Sequence, residues 1–227
     1  MKVGFFYNCF NQPQCVDFVL SNVREHFKES SIFLCSDGGE DFSKFANTYH
    51  CDYEFYEKNI GGSVSKPISY WPFMERLCRM LVYPIDYIVL LEDDVLCQKH
   101  IEYWPSQACA GPIGNEWNQS FKNLILKRCR NGFCSSYMFY GNCGGSIIHR
   151  DSFRRSILNM NKNLYEEAHL ADSRFGLYPD ASITGTLQLF GYGYERWLEH
   201  SEEDSGQPSL IGISAFRHQY KKLYAKV

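Results

Sequence analysis

The chain has 227 residues, a formal net charge of −3, and 44% hydrophobic, 16% aromatic and 22% charged residues. That length can bury the core of one large domain; the composition excludes a disordered, collagen-like or coiled-coil chain, and the charge lacks the concentrated basic field of a nucleic-acid binder. No apolar run approaches the roughly 20 residues that span a bilayer, and Met1 to Asn8 turns polar too early for a signal peptide, so the expectation is a soluble cytoplasmic protein without a membrane span.

Residues 3–7 read as a short apolar strand that runs into a polar loop from Asn8 to Gln14. Val16, Val19, Leu20, Val23 and Phe27 then fall at helical spacing. Ile32 to Cys35 reads as a second strand, cut off by Ser36-Asp37-Gly38-Gly39, and Phe42, Phe45 and Ala46 share one face of a short amphipathic segment. A third strand, Tyr53 to Tyr56, stops at Asn59-Ile60-Gly61-Gly62. The spacing of Phe73, Leu77, Met80 and Leu81 predicts a helix from about Ser69 to Val82. The apolar run Tyr87 to Leu91 follows, and its lack of alternation marks a central strand buried on both faces.

Beyond this the pattern is less regular. Residues 105–132 read as loop-rich, and 135–140 and 145–149 as strands around the turn Gly141-Asn142-Cys143-Gly144. Helices are expected over 153–161 and 164–170 and within 179–190, with a last strand over 210–215. The alternation of strands and helices implies an α/β fold with a mostly parallel central sheet flanked by helices, and a small antiparallel portion in the second half. With no linker or repeat, the chain reads as one compact domain over 1–227. Ten cysteines at scattered spacings contain no Cys-x-x-Cys pair. They argue against a structural zinc site and for buried, reduced thiols, with a local Cys129–Cys134 disulfide left open.

In open α/β sheets ligands collect beyond the carboxyl ends of the strands. Three such ends here finish in polar, glycine-bearing or acidic loops: Asn8–Gln14, Ser36–Gly39 and Glu92–Asp94. Glu92-Asp93-Asp94 is the sharpest of them. Adjacent carboxylates repel unless solvent or a cation neutralises them, and hard oxygen ligands favour Mg²⁺ or Mn²⁺, ions that bridge to substrate phosphates.

The strand with Glu92-Asp93-Asp94 resembles the Asp-x-Asp motif of GT-A fold glycosyltransferases. Ser36-Asp37-Gly38-Gly39 is similar to the second-strand end where an Asp contacts the nucleoside, and Asn59-Ile60-Gly61-Gly62 to the Asn-x-Gly turn after their third strand. Arg76 resembles the family's diphosphate-side arginine, and Tyr140 to Ser146, with Gly144 and Gly145, the segment where donor sugar meets acceptor. Asp180, ahead of a helix, is similar to the catalytic base of inverting members, although Pro179 stands where the family often has Glu. Asp after Pro is also an ordinary helix start. His218 with Lys221 or Lys222 resembles the late metal-binding His and diphosphate-binding cation, with His200 as the competing histidine. Trp197 is a candidate face for a sugar ring.

The resemblance implies a metal-dependent glycosyltransferase that moves a sugar from a nucleoside diphosphate donor, UDP-linked, to a hydroxyl of a glycan or glycoprotein. Residues 1–100 would bind the nucleotide-sugar and 101–227 the acceptor. Asp94, Glu92 and His218 would hold Mn²⁺ or Mg²⁺, with Glu92 or Asp93 on the ribose or the metal's water shell. Asp37 and Asn59 would serve the nucleoside, Arg76 and Lys221 the diphosphate, and Asp180 the acceptor proton in an inverting reaction. A retaining route, and a non-catalytic nucleotide-sugar or carbohydrate-binding protein of the same fold, are the alternatives.

Overall fold

The computed structural model describes residues 1–61, 68–112, 114–129, 138–202 and 212–218. Its first half follows the expected order: β1 (Val3–Cys9), α1 (Pro13–His26), β2 (Ile32–Asp37), α2 (Ser43–Thr48), β3 (Asp52–Tyr56), α3 (Tyr70–Cys78) continued by a 3₁₀ turn (Arg79–Val82), then β4 (Tyr87–Leu91). Pro13 at the first position of α1 and Pro72 in the first turn of α3 cost no helical hydrogen bond, because those N–H groups have no intrahelical partner anyway. β1 runs two residues past the expected end, so Asn8 and Cys9 pair with Cys35 and Ser36 of β2 rather than lying in a loop. The turn begins at Gln12, which takes a positive φ of 70°.

The second half holds β5 (Leu96–Cys97), β6 (Cys109–Gly111), β7 (Asn115–Glu116), α4 (Gln119–Arg128), β8 (Phe139–Tyr140), β9 (Ile147–His149), α5 (Arg150–Asn159), α6 (Lys162–Ala171), α7 (Pro179–Gln188), β10 (Tyr194–Arg196), β11 (His200–Glu202) and β12 (Phe216–His218). Three expectations need correction here. The stretch expected to be loop-rich contains α4, which Asn118 caps by accepting from the Phe121 N–H, and which buries Phe121, Leu124 and Ile125. The segments at 139–140 and 147–149 are not a hairpin, since β8 pairs with β7 while β9 pairs with β4 and β6. The final described strand lies at 216–218, just past the expected 210–215, of which 210–211 fall outside the described residues.

Seven strands form the main sheet in the order β10-β6-β9-β4-β1-β2-β3. β3, β2, β1 and β4 are mutually parallel, whereas β9 runs antiparallel to both β4 and β6. A smaller sheet joins β11, β12 and β5. Alternate residues of β1 feed two cores. Phe5 and Tyr7 pack with the α1 face of Val16, Val19, Leu20 and Val23, while Phe6 packs with Phe73, Met74 and Leu77 of α3. Burying each such Phe or Leu contributes about 1.5–3 kcal/mol relative to leaving it in water. The chain leaves β1 toward β2 and β3, then returns to set β4 on the other side of β1. That reversal is a topological switch point, and the carboxyl ends of β1 and β4 border its crevice.

Candidate metal and donor site

The loop after β4 carries Glu92, Asp93 and Asp94 into this crevice. Glu92 and Asp94 turn to His218 at the end of β12: His218 Nε2 lies 3.2 Å from Glu92 Oε2 and 3.4 Å from Asp94 Oδ1. Donor atoms of the three residues all lie within 4.8 Å of one another. Two carboxylates and one imidazole form an O,O,N set that fits Mn²⁺ or Mg²⁺. The Glu92 side chain is half exposed, while His218 is 8% exposed, so the group opens to solvent from the carboxylate side.

Asp93 points the opposite way, accepting a 2.7 Å hydrogen bond from the Tyr7 hydroxyl. Burial pushes its carboxyl up to about 6, and the charges of Glu92 and Asp94 add to this, while the Tyr7 hydrogen bond opposes it. Burial also raises Glu92, but the hydrogen bond and charge of His218 outweigh it and hold Glu92 below its usual value. His218 is the mirror case. Burial lowers its basicity, yet Cys143, Glu202 and Glu92 together raise it well above an ordinary histidine.

Gly144 lies beneath the acidic loop. A Cβ there would sit 2.8 Å from Glu92 Cβ and 2.6 Å from Val95 Cγ2, so only glycine lets the two segments touch, and its N–H donates to Glu92. Gly145, at φ +83°, donates to the Leu90 carbonyl at 2.8 Å and packs on Phe216 and His200. The contacts of both expected donor-sugar glycines are thus with the acidic loop, β4 and the small sheet.

Asp37 and Arg76 are brought together rather than left open. Arg76 Nη1 is 2.7 Å from Asp37 Oδ1, and the two side chains are each 3% exposed. Arg76 also donates to Asn8 Oδ1 and the Lys58 carbonyl, and stacks 4.0 Å from the centre of the Tyr56 ring. Asp37 accepts from the Ile60 N–H as well, and Asn59 closes the turn by donating to the Asp37 carbonyl and accepting from the Gly61 N–H. These contacts bind the ends of β1, β2 and β3 to one another. None of these contacts reaches Glu92 or Asp94.

Asp180 sits in the first turn of α7. Burial pushes its carboxyl up to about 6; the Glu92 charge adds to this, and the neighbouring Ala181 N–H and Arg174 oppose it. Arg174 itself is held by Asp172 and the Tyr140 hydroxyl. Trp197, expected as a sugar platform, is instead core: it is 2% exposed, and its Nε1 donates to the Tyr103 carbonyl. Lys221, Lys222, Gly62 and Cys134 lie outside the described residues. The described cysteines are free thiols.

Sequence reasoning missed the surroundings of His218. Its Nδ1 faces Glu202 Oε1 at 3.4 Å, Cys143 lies against Glu202, and the ring of the rival histidine, His200, is 6.0 Å away. Burial and the His218 charge lower His200 to about 4, whereas burial pushes the Cys143 thiol up to about 11 against the opposing pull of His218. The legible signal was the spacing of His200 and Glu202, which places them on one face of a strand.

Among the described residues no helix is long and apolar enough to cross a membrane. No protein-family model matches this chain, and no curated protein matches it. Solved structures do. Galactosyltransferase LgtC in complex with donor and acceptor sugar analogs aligns over 96% of this chain and 86% of its own, at 14% identity and a TM-score of 0.52. An active-site mutant of LgtC aligns over 100% and 96%, at 12% identity and a TM-score of 0.53. At such identities the likeness speaks for architecture: the chain has a GT-A-like α/β fold, with a mostly parallel sheet, antiparallel additions and flanking helices.

Proposed function

We propose that the protein is a metal-dependent glycosyltransferase that moves a sugar from a nucleoside diphosphate, UDP-linked, to a hydroxyl of a glycan or glycoprotein acceptor. The observation that supports this most is the convergence of Glu92, Asp94 and His218 beside the switch point of a GT-A-like sheet. Glu92 and Asp94, with His218 through Nε2, would hold Mn²⁺ or Mg²⁺. When bound, such an ion stabilises the charge that develops on the departing diphosphate.

The first hundred residues would serve the donor. The loops that Asp37, Asn59 and Arg76 bind together form a wall for the nucleoside, with Arg76 acting through that wall. Tyr7 holds Asp93 back, which leaves Glu92 and Asp94 directed into the crevice. The remaining residues would serve the acceptor. Asp180 would take the acceptor's hydroxyl proton as its oxygen attacks the anomeric carbon, giving inversion, and a carboxyl raised to about 6 is well matched to a base working near neutral pH. Lys221 is the candidate second cation on the diphosphate.

A panel of nucleotide-sugars, scored for hydrolysis and for thermal stabilisation with and without Mn²⁺, tests this reading. A UDP-sugar that stabilises the protein only with the metal supports it. If no nucleotide-sugar stabilises the metal-supplied protein, the reading fails.

A further inference from the structure

Behind the acidic loop, Cys143, His200, Glu202 and His218 converge from three separate stretches of chain, with one donor atom from each within 4.8 Å of the others. The parallel pairing of β11 with β12 sets Glu202 beside His218. The period of two along β11 puts His200 and Glu202 on the same face, and the turn before β9 brings in Cys143. His200 is fully buried, and the Glu202 and His218 side chains are 12% and 8% exposed.

Three of the separations between these atoms bear on what this cluster can hold. Cys143 Sγ lies 3.6 Å from His200 Nε2 and 3.6 Å from Glu202 Oε1, and Glu202 Oε1 lies 3.4 Å from His218 Nδ1. The nitrogen–oxygen distance exceeds the roughly 2.7–3.2 Å of a good N–H···O bond. A tetrahedral zinc ion, with Zn–S of about 2.3 Å and Zn–N and Zn–O of about 2.0–2.2 Å, spaces its ligand atoms about 3.3–3.6 Å apart. All three distances fall at that spacing.

We propose that Cys143, His200, Glu202 and His218 form a closed, four-coordinate transition-metal site of the zinc class, which shares only His218 with the acidic-loop cation site. One thiolate and two imidazoles select such an ion over Mg²⁺ or Mn²⁺. On binding, the Cys143 thiol proton and the His218 Nδ1 proton leave to solvent, and the thiolate, the carboxylate and two neutral imidazoles fill the four positions. His200 Nε2 lies 3.0 Å from the Gly144 carbonyl; a bound ion replaces that hydrogen bond, and the ring proton then resides on Nδ1. His218 gives Nδ1 to the ion and keeps its proton on Nε2, which faces Glu92 and Asp94.

The consequence reaches the proposed active site. In the zinc-loaded protein His218 gives up the Nε2 ligation proposed above for the hard cation and becomes a hydrogen-bond donor that orients the two carboxylates, so that cation is left to Glu92, Asp94 and substrate phosphates. Cys-x-x-Cys spacing is absent because the ligands come from a turn and two short strands.

The full chain, incubated with Zn²⁺ alone and freed of excess by gel filtration, tests this by elemental analysis and X-ray absorption. One equivalent of zinc is expected, with one sulfur in its first shell. Cys143→Ala should retain less than a tenth of it, and Asp94→Asn should retain it in full. A wild-type protein without zinc, a zinc shell without sulfur, or zinc lost in Asp94→Asn but kept in Cys143→Ala would each overturn the site. The wild-type spectrum decides even if Cys143→Ala does not fold. Mn²⁺-dependent nucleotide binding is a separate readout, so this proposal and the glycosyltransferase reading can fail independently.

Discussion

Two strand ends on either side of β1 carry an acid after an apolar run, and they meet different fates. Asp37, closing β2, is neutralised within the fold by Arg76 at 2.7 Å, and both side chains are out of water. Glu92 and Asp94, following β4, face the imidazole of His218, and Glu92 stays half exposed. The first acid is a clamp that has its guanidinium already. The second group is a cluster of donors that could hold a metal ion. An acid after a buried strand is therefore ambiguous until the fold shows which cation meets it.

The largest effect expected on this contrast comes from Arg76→Ala. It leaves Asp37 buried without its charge partner, and breaking a buried pair from one side costs about 3–5 kcal/mol, measurable by chemical unfolding. Asp94→Asn should change stability by less than about 1 kcal/mol, since it relieves like-charge repulsion, yet abolish the metal-dependent nucleotide shift. Equal destabilisation by the two would erase the distinction between clamp and ion site.

Asp180→Asn comes next, with transfer lowered on the order of 10³-fold and donor binding unchanged. The wild-type rate should fall as pH drops through about 6, because the base must be ionised. The same carboxyl should mark stability in the opposite sense. Its native value lies above the ordinary 3.8, so the folded state holds the proton more tightly. Its contribution is most favourable below pH 3.8 and declines as pH rises through about 6. Asp180→Asn should flatten that decline in a series of unfolding curves.

Tyr7→Phe is the mildest change, costing about 1 kcal/mol for the lost hydrogen bond to a buried acid. It should also raise the Asp93 carboxyl further, since the Tyr7 hydroxyl opposes the effect of burial there. An NMR titration of Asp93 that moves the other way would contradict the described geometry.

The parallel half was legible because its signals are local. The unbroken apolar run Tyr87 to Leu91 marked a central strand, and it is buried throughout. α4 was hidden by the proline-bearing stretch that precedes it, although Asn118 followed by Phe121, Leu124 and Ile125 carries both a cap and a helical face. The Asp37–Arg76 pair was not legible, because two residues 39 apart meet only once the order of β1, β2 and β3 is fixed. Trp197 misled for a related reason: aromatic type does not reveal whether a side chain just past a strand end turns into the core, and here Phe216 covers it. Cys143, His200 and Glu202 have meaning only through the pairing of β11 with β12.

On the proposed function, Glu92 and Asp94 would hold a cation that in turn holds a nucleoside diphosphate. Calorimetric titration of UDP into the wild-type protein and Asp94→Asn, each with and without Mn²⁺, tests it most directly. The wild type should bind UDP only with Mn²⁺, and Asp94→Asn should lose that binding while both proteins stay equally folded. UDP binding of equal strength with and without Mn²⁺, or undiminished in Asp94→Asn, would contradict it.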